Sequence, residues 1–229
     1  MQPQKQVLVT GATGTLGSAL VGALVEANFD VVANFWHDEN RALRLRDKTG
    51  CELARADVSD ELSVETLFEN RNFDAVIHLA ARNRDALLLR TSRRDWDDMV
   101  KINLHSAFFV TRAALQTLPR GGHLVLVSSR VAERGFMGQS AYSAGKAAIL
   151  GLMKTAAREA AQNGICVNAV CPGWAVSELS KALGDRVLRA RERENWLPNA
   201  DARESFAALC LYLLHSRVSG QVLRSDCRI

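Results

Sequence analysis

Two side chains four residues apart are suited to acid–base chemistry. Tyr142 and Lys146 stand in a strongly helical stretch over 141–162, and residues at i and i+4 project from the same face of a helix. An ammonium beside a phenol favours the phenolate and lowers the pKa of the tyrosine, as a proton donor working near neutral pH requires. Ser129 adds a third polar group, because it follows a predicted strand at the sheet edge where open α/β sheets bind ligands.

Three glycines, Gly11, Gly14 and Gly17, lie between the first predicted strand and the first predicted helix. Glycines at this place allow a tight turn and let the backbone approach a pyrophosphate, which then sits at the amino terminus of the helix. The segment 10–17 (TGATGTLG) therefore predicts a dinucleotide site. A glycine-rich turn without a ligand is the alternative interpretation.

The elements that must position these residues alternate along the chain. Apolar runs predict strands over 6–10, 30–35, 51–56, 74–79, 123–128, 165–170 and 221–224; helical periodicity predicts helices over 15–27, 41–48, 60–69, 94–118, 141–162, 181–194 and 202–214. Such alternation implies right-handed βαβ units and a parallel sheet. The predicted fold is α/β: a single Rossmann-like domain over 1–229, with a doubly wound parallel sheet of about seven strands and helices on both faces.

Composition excludes several classes of protein. With 48% hydrophobic residues the chain is too apolar for disorder, and five cysteines without ligand spacing argue against a disulfide framework or a metal site. A net charge of +4 without a basic, aromatic-interleaved run speaks against nucleic acid as a partner. No apolar run reaches about 18 residues and no signal-peptide layout appears, so we expect a cytoplasmic protein without membrane association.

Together these motifs resemble the short-chain dehydrogenase/reductase family over nearly the whole chain. The resemblance implies hydride transfer between a nicotinamide cofactor and a carbonyl. It also implies a catalytic tetrad: Tyr142 as proton donor, Ser129 holding the carbonyl oxygen, Lys146 holding the nicotinamide ribose, and Asn103 holding a proton-relay water. The candidate cofactor-binding residues are Gly11, Thr13, Gly14, Thr15, Leu16, Gly17, Asn34, Trp36, His37, Asp57, Val58, Ala80, Ala81, Tyr142, Lys146, Pro172, Gly173, Ala175 and Ser177.

Within that family the chain is most similar to the 3-oxoacyl-(acyl-carrier-protein) reductases of fatty acid biosynthesis, over segments 84–88, 95–96, 103–113 and 138–142. This similarity implies a small-molecule or thioester carbonyl substrate, on coenzyme A or an acyl carrier protein. The glycine spacing and the segment 78–81 (HLAA) depart from that subgroup. Both are closer to sugar-nucleotide-modifying relatives and NmrA-like regulators.

The end of the second predicted strand bears on the choice of cofactor. An acidic residue there would bind the ribose 2′-hydroxyl and favour NAD, but no acid appears before Asp38. His37, Arg41 or Arg44 could meet a 2′-phosphate. NADP(H) is therefore the expected cofactor, with NAD(H) left open; the alternative is that all three residues are solvated side chains of a helix face.

The substrate is defined only by class. Ser129, Phe136 and Trp174 are the expected substrate-binding residues, beneath a lid near 177–198, and they suit a β-ketoacyl chain as well as a steroid, a polyketide or a cyclic alcohol. Family resemblance also implies a homo-oligomer, a tetramer or a dimer. Two rival interpretations stay open: a non-catalytic nucleotide sensor on the same fold, and a sugar-nucleotide epimerase or dehydratase, for whose additional subdomain the chain is short.

Overall fold

The computed structural model describes residues 4–175 and 201–225, in which seven strands form one parallel sheet. The strands are β1 (Gln6–Thr10), β2 (Asp30–Phe35), β3 (Glu52–Arg55), β4 (Ala75–His78), β5 (His123–Val127), β6 (Cys166–Pro172) and β7 (Val222–Ser225). Their order is β3-β2-β1-β4-β5-β6-β7. Strands β2 and β3 therefore lie on one side of β1, and β4 to β7 lie on the other. This order confirms the predicted doubly wound α/β sheet.

Helices cover both faces of this sheet. They are α1 (Thr15–Glu26), α2 (Glu39–Thr49), α3 (Glu61–Phe68), α4 (Arg93–Val100), α5 (Ser106–Thr117), α6 (Val131–Arg134), α7 (Ser140–Ala160) and α8 (Ala202–His215). Successive side chains of a strand point to opposite faces of the sheet, so the core has two parts. Leu8 packs with the residues of α5 and α7, whereas Val7 and Val9 pack with those of α1 and α8. Strands buried on both faces read as continuous apolar runs, which is why the sequence marks them clearly. No described helix is long and apolar enough to cross a bilayer.

Side-chain caps mark where several helices begin. The side chains of Asp38, Asp60, Ser92 and Asp201 each accept a hydrogen bond from a backbone N–H in the first turn of the helix that follows, α2, α3, α4 and α8 respectively. Such caps satisfy amides that have no partner within the helix. Helix α1 differs, because its N-cap is Gly14 and no side chain caps it. Its first-turn amides are thus left to other partners.

The helical segment expected over 94–118 is present, but it is not one regular α-helix. Helix α4 ends at Val100, a π-helical turn covers Lys101–His105, and α5 begins at Ser106. Asn103 lies in the wide turn, and its amide donates hydrogen bonds of 2.9 Å to the carbonyls of Met99 and Arg82. Single π turns inside helices are frequent at functional sites. Apolar periodicity alone does not distinguish a single π turn from the α-helices on either side of it.

Two glycines of α1 provide a matched test of packing. A Cβ at Gly17 would lie 2.4 Å from the carbonyl oxygen of Gly11, whereas one at Gly22 meets nothing within 4 Å. We expect Gly17→Ala to lower the free energy of unfolding by about 1–3 kcal/mol through overpacking. Gly22→Ala should raise it by up to about 1 kcal/mol, because alanine favours the helix. Urea unfolding measures both, and equal stabilities of the two variants would contradict this account.

Candidate functional site

The candidate site lies at the carboxyl edge of the sheet, where the strand order reverses between β1 and β4. The glycine loop follows β1 and residues 79–86 follow β4. Ser129 comes just after β5, and Pro172 ends β6. These four strands are neighbours in the sheet. The edge at such a switch point is where open α/β sheets bind their ligands.

The structure brings three of the predicted catalytic side chains together. A hydrogen bond joins the hydroxyl of Ser129 to the phenol of Tyr142. The amine of Lys146 lies 5.8 Å from the centroid of the Tyr142 ring, one helical turn along α7. The hydroxyl of Ser128 donates a 2.7 Å hydrogen bond to the carbonyl of Lys146, which holds α7 against the end of β5. This contact sets the register that aligns Tyr142 with Ser129.

Burial governs the pKa of Tyr142. It raises the pKa of the phenol to about 12, and the charges of Asp85 and Cys171 act in the same direction; the hydrogen bond from Ser129 opposes them. The pKa of Tyr142 is therefore raised overall and not lowered as the sequence predicts, because the ammonium of Lys146 does not outweigh the effect of burial. The phenol therefore holds its proton at neutral pH, the form from which a proton can be donated.

Lys146 is the most deeply buried charged side chain of the site. Its amine donates a 2.9 Å hydrogen bond to the carbonyl of Val127, and only 1% of the residue is exposed. Burial lowers the pKa of this amine to about 8, because a desolvated ammonium is disfavoured. The amine therefore remains mostly protonated at pH 7, close to the tyrosine ring.

Asn103 fastens the loop after β4 to the helix layer. Its side-chain oxygen accepts a 3.2 Å hydrogen bond from the backbone N–H of Arg82, while its amide donates to the carbonyl of the same residue. A Cβ at Gly145 would lie 3.1 Å from the Cβ of Asn103, so the glycine lets α7 approach the π turn. The fourth predicted catalytic residue thus lies against α7, the helix that carries Tyr142 and Lys146.

A buried histidine ties the strand ends beneath the site. Nδ1 of His78 lies 2.8 Å from the hydroxyl of Thr10, and Nε2 lies 3.2 Å from the hydroxyl of Ser106. Burial lowers the pKa of this imidazole to about 3, so it is neutral. The Thr10 hydroxyl also accepts from the backbone N–H groups of Leu79 and Ala80. The ends of β1 and β4 and the start of α5 are joined by this one group.

The glycine loop fits the pyrophosphate of the dinucleotide that the resemblance implies. Gly11 has a φ of +66°, and a Cβ there would lie 2.8 Å from the backbone nitrogen of Ala80, so the fold itself requires this glycine. Gly14 is different: it is exposed, and a Cβ there would meet only the carbonyl of Gly11, at 3.4 Å. Open space above Gly14 and the uncapped amides of α1 are what an anion at a helix amino terminus needs.

Two residues expected to bind the cofactor have polar atoms engaged within the protein. The amide of Asn34 is buried and donates to the carbonyls of Ala54 and Ala56, at 3.2 and 3.1 Å. One carboxylate oxygen of Asp57 accepts from both the backbone N–H and the hydroxyl of Ser59. The Asn34 side chain therefore fastens β2 to β3 and has no donor left for a ligand.

The other predicted residues surround this edge. Thr13, Thr15, Leu16, Ala80, Ala81, Pro172, Trp174 and Ala175 are half-buried, Val58 and Gly173 are buried, and Trp36, His37 and Phe136 are exposed. Ser177 and the predicted lid near 177–198 lie outside the described residues. In the two described ranges no cluster of three His, Cys, Asp or Glu side chains is arranged for a metal ion.

Sequence analysis missed a contact that joins the loop after β4 to the start of α7. The side-chain amide of Gln139 donates a 3.0 Å hydrogen bond to the carboxylate of Asp85, and the backbone N–H of Ala86 donates to the carbonyl of Gly138 at 2.9 Å. Gln139 immediately precedes α7 and so lies three residues before Tyr142. The partners are 54 residues apart, and no local pattern in the sequence links them.

Comparison with known proteins gives a consistent family. A family model described as enoyl-(acyl carrier protein) reductase matches residues 11–227. The 3-oxoacyl-(acyl-carrier-protein) reductase FabG of Staphylococcus aureus (strain Mu50) is 33% identical over 199 residues, which are 82% of this chain and 81% of that protein. The acetoacetyl-CoA reductase of Acinetobacter sp. (strain RA3849) is 29% identical, over 97% of this chain and 96% of its own.

Solved structures that are similar to this chain are also dehydrogenases or reductases. A short chain dehydrogenase from Burkholderia cenocepacia J2315 in complex with NADP matches with a TM-score of 0.90 and 26% identity, over 98% of this chain and 97% of its own. A dehydrogenase/reductase from Sinorhizobium meliloti 1021 matches with a TM-score of 0.89 and 27% identity, over 96% of this chain and 92% of its own.

The charge of Asp85 yields a test by titration. Asp85→Asn keeps an oxygen that can accept from Gln139 but removes the negative charge, so the pKa of Tyr142 should fall. The chain has two tyrosines, and in a Tyr212→Phe background the alkaline rise in tyrosinate absorbance reports Tyr142 alone. Asp97→Asn, at an exposed carboxylate paired with Arg93, is the control and should leave the titration unchanged. An unaltered midpoint in Asp85→Asn would contradict the assignment.

Proposed function

Because the chain belongs to the short-chain dehydrogenase/reductase family, a family of oxidoreductases, we propose that it catalyses the reversible, NAD(P)H-dependent reduction of a 3-oxoacyl thioester to the alcohol. The observation that carries the proposal is the convergence of Ser129, Tyr142 and Lys146 at the carboxyl edge, beside the glycine loop. A carbonyl placed against these groups meets a proton donor and a hydrogen-bond donor together.

Tyr142 is the proposed proton donor. When bound, the reduced nicotinamide supplies the hydride that the carbonyl carbon accepts. Tyr142 gives its phenolic proton to the carbonyl oxygen as negative charge develops there, and the burial that raises its pKa keeps it protonated until then. Ser129, already hydrogen-bonded to this phenol, donates to the same oxygen. A donor fixed in place before reaction stabilises such charge without reorganisation.

Lys146 and Asn103 are proposed to assist this proton transfer without contacting the carbonyl themselves. The amine of Lys146 is mostly protonated at neutral pH and lies near the ring of Tyr142, so it favours the phenolate that proton donation leaves. Its proposed second contact is with the nicotinamide ribose. Asn103 holds the backbone of Arg82 through two hydrogen bonds, and its proposed role is to keep a relay water beside Lys146. Both roles come to this chain from the family pattern.

NADP(H) is the proposed cofactor. Gly14 and the first-turn amides of α1 would hold its pyrophosphate. The carboxylate of Asp38, the first acid after β2, accepts from the side chain and the backbone N–H of Arg41. Each of its oxygens therefore already has a partner in Arg41, which makes this acid less available to the ribose hydroxyls than an unpaired one. A similar solved structure contains NADP.

A thioester is the proposed substrate because two similar proteins are named for thioester reduction, one on an acyl carrier protein and one on coenzyme A. Phe136, between α6 and α7, and Trp174, just after β6, offer apolar surface for an acyl chain. A cytoplasmic location is proposed with this function. The activity is tested with acetoacetyl-CoA beside a panel of steroid, polyketide and cyclic ketones, each with NADPH and NADH.

Loss of the phenol should abolish most turnover. Tyr142→Phe should lower kcat/KM for acetoacetyl-CoA by about 10²–10⁴-fold, because it removes the proton source. Tyr212→Phe, on the exposed face of α8, is the matched control and should retain full activity. A folded and fully active Tyr142→Phe protein would refute the assignment. Dinucleotide binding without turnover of any carbonyl in the panel would favour a nucleotide sensor instead.

A homo-oligomer is proposed through the α4–α5 face. Trp96 and Phe108 lie on these helices with 36% and 44% of their surfaces exposed, and the guanidinium of Arg112 covers part of the Phe108 ring. Light scattering should give the mass of a tetramer or a dimer. Phe108→Glu places a charge in the contact and should shift the protein toward the monomer. A monomeric wild type would exclude this assembly.

A further inference from the structure

An aromatic–cation pair lies beside the glycine loop at the carboxyl edge. Trp36 follows β2 directly and Arg55 is the last residue of β3. The guanidinium carbon of Arg55 lies 5.4 Å from the centroid of the Trp36 ring, and the sheet register pairs Phe35 with Arg55. The loop is connected to the same place, because the backbone N–H of Ala12 donates a 3.0 Å hydrogen bond to the carbonyl of Asn34.

The polar groups around this pair are engaged elsewhere. The side-chain amide of Asn34 donates to the carbonyls of Ala54 and Ala56, on the β3 side. Asp38 accepts from the backbone N–H of Arg41 with one oxygen, at 2.9 Å, and from its guanidinium with the other, at 3.0 Å. An uncharged sugar diol therefore finds no uncommitted carboxylate at the end of β2. Next to this end of β2 lies a cation, the guanidinium of Arg55.

Arg55 is exposed and makes no ion pair with any described residue. Its neighbour on the same strand, Glu52, is paired with Arg71 instead. A guanidinium that lies over an aromatic face is attracted by the ring and restricted in its rotamers, while its N–H edges stay free. Such edges match the oxygens of a phosphate in a bidentate geometry.

We propose that Arg55, held on the ring of Trp36, binds the 2′-phosphate of the adenosine ribose and is the residue that selects NADP(H) over NAD(H). This inference rests on the proposed function, since it needs a dinucleotide in the cleft. It differs from the sequence-based expectation, which looked for the cation at His37, Arg41 or Arg44. Arg41 is bound to Asp38, and Arg44 is exposed on α2.

The test measures equilibrium binding with two pairs of probes: NADPH against NADH, and adenosine 2′,5′-bisphosphate against adenosine 5′-monophosphate. In Arg55→Leu the Kd should rise by about 10–100-fold for each 2′-phosphorylated probe, the loss expected for charge-assisted hydrogen bonds. The Kd for NADH and for the monophosphate should stay within about twofold of wild type. Arg44→Leu, at the exposed arginine of α2 that the sequence offers for the same phosphate, tests that alternative directly and should change neither pair.

A second variant tests the contribution of the ring. Trp36→Ala leaves the charge of Arg55 but removes its support, so it should weaken NADPH binding by a smaller factor than Arg55→Leu. Combined with Arg55→Leu it should add nothing further for the 2′-phosphorylated probes, because the two residues act as a unit. Circular dichroism and thermal unfolding establish that each variant is folded.

The outcomes separate this inference from the function on which it rests. If wild type and Arg55→Leu bind NADPH equally while both bind a dinucleotide, or if Arg44→Leu produces the loss instead, the assignment to Arg55 is overturned and the proposed function stands. If the wild-type protein binds neither NADPH nor NADH, the proposed function falls and the inference falls with it.

Discussion

A lysine amine buried beneath the sheet edge is the constraint on which the rest of the site depends. Lys146 donates to the carbonyl of Val127, and Ser128 donates to the carbonyl of Lys146. Removing an ammonium from water is costly unless it is hydrogen-bonded, so this pair of contacts fixes how α7 meets the end of β5. One helical turn earlier Tyr142 must then lie next to Ser129, one residue beyond Ser128. The contact between Tyr142 and Ser129 is a consequence of that docking.

The loop after β4 is held in place by side chains from two other elements. Asn103 binds the backbone of Arg82 on both sides, and Gln139 binds the carboxylate of Asp85. Each anchor sits at an irregularity, the π turn in one case and the start of α7 in the other. A loop held at two points by side chains from different helices keeps a fixed distance from Tyr142, and this allows a charge on the loop to act on the phenol.

Sequence analysis located what depends on local pattern and missed what depends on register and burial. The bounds of β1 and β2 were predicted to the residue, because each is an apolar run between turn residues. The spacing of Tyr142 and Lys146 gave their shared face, but not the burial that raises the pKa of the phenol to about 12. Asn34 was expected to bind a ligand. Its amide faces β3, a choice that only the pairing of the two strands decides.

The order of the strands separates the proposed reacting groups from Arg55. Ser129, with Tyr142 against it, lies at the end of β5, whereas Arg55 lies at the end of β3, with β2, β1 and β4 between them. Four inter-strand spacings of about 4.8 Å place these ends roughly 19 Å apart, and the glycine loop follows β1, midway between them. This layout suits an extended ligand with a phosphate at its centre, a reacting ring at one end and a distinguishing charge at the other. Since the two ends rest on different strands, a change at Arg55 is expected to leave Tyr142 and its contact with Ser129 in place.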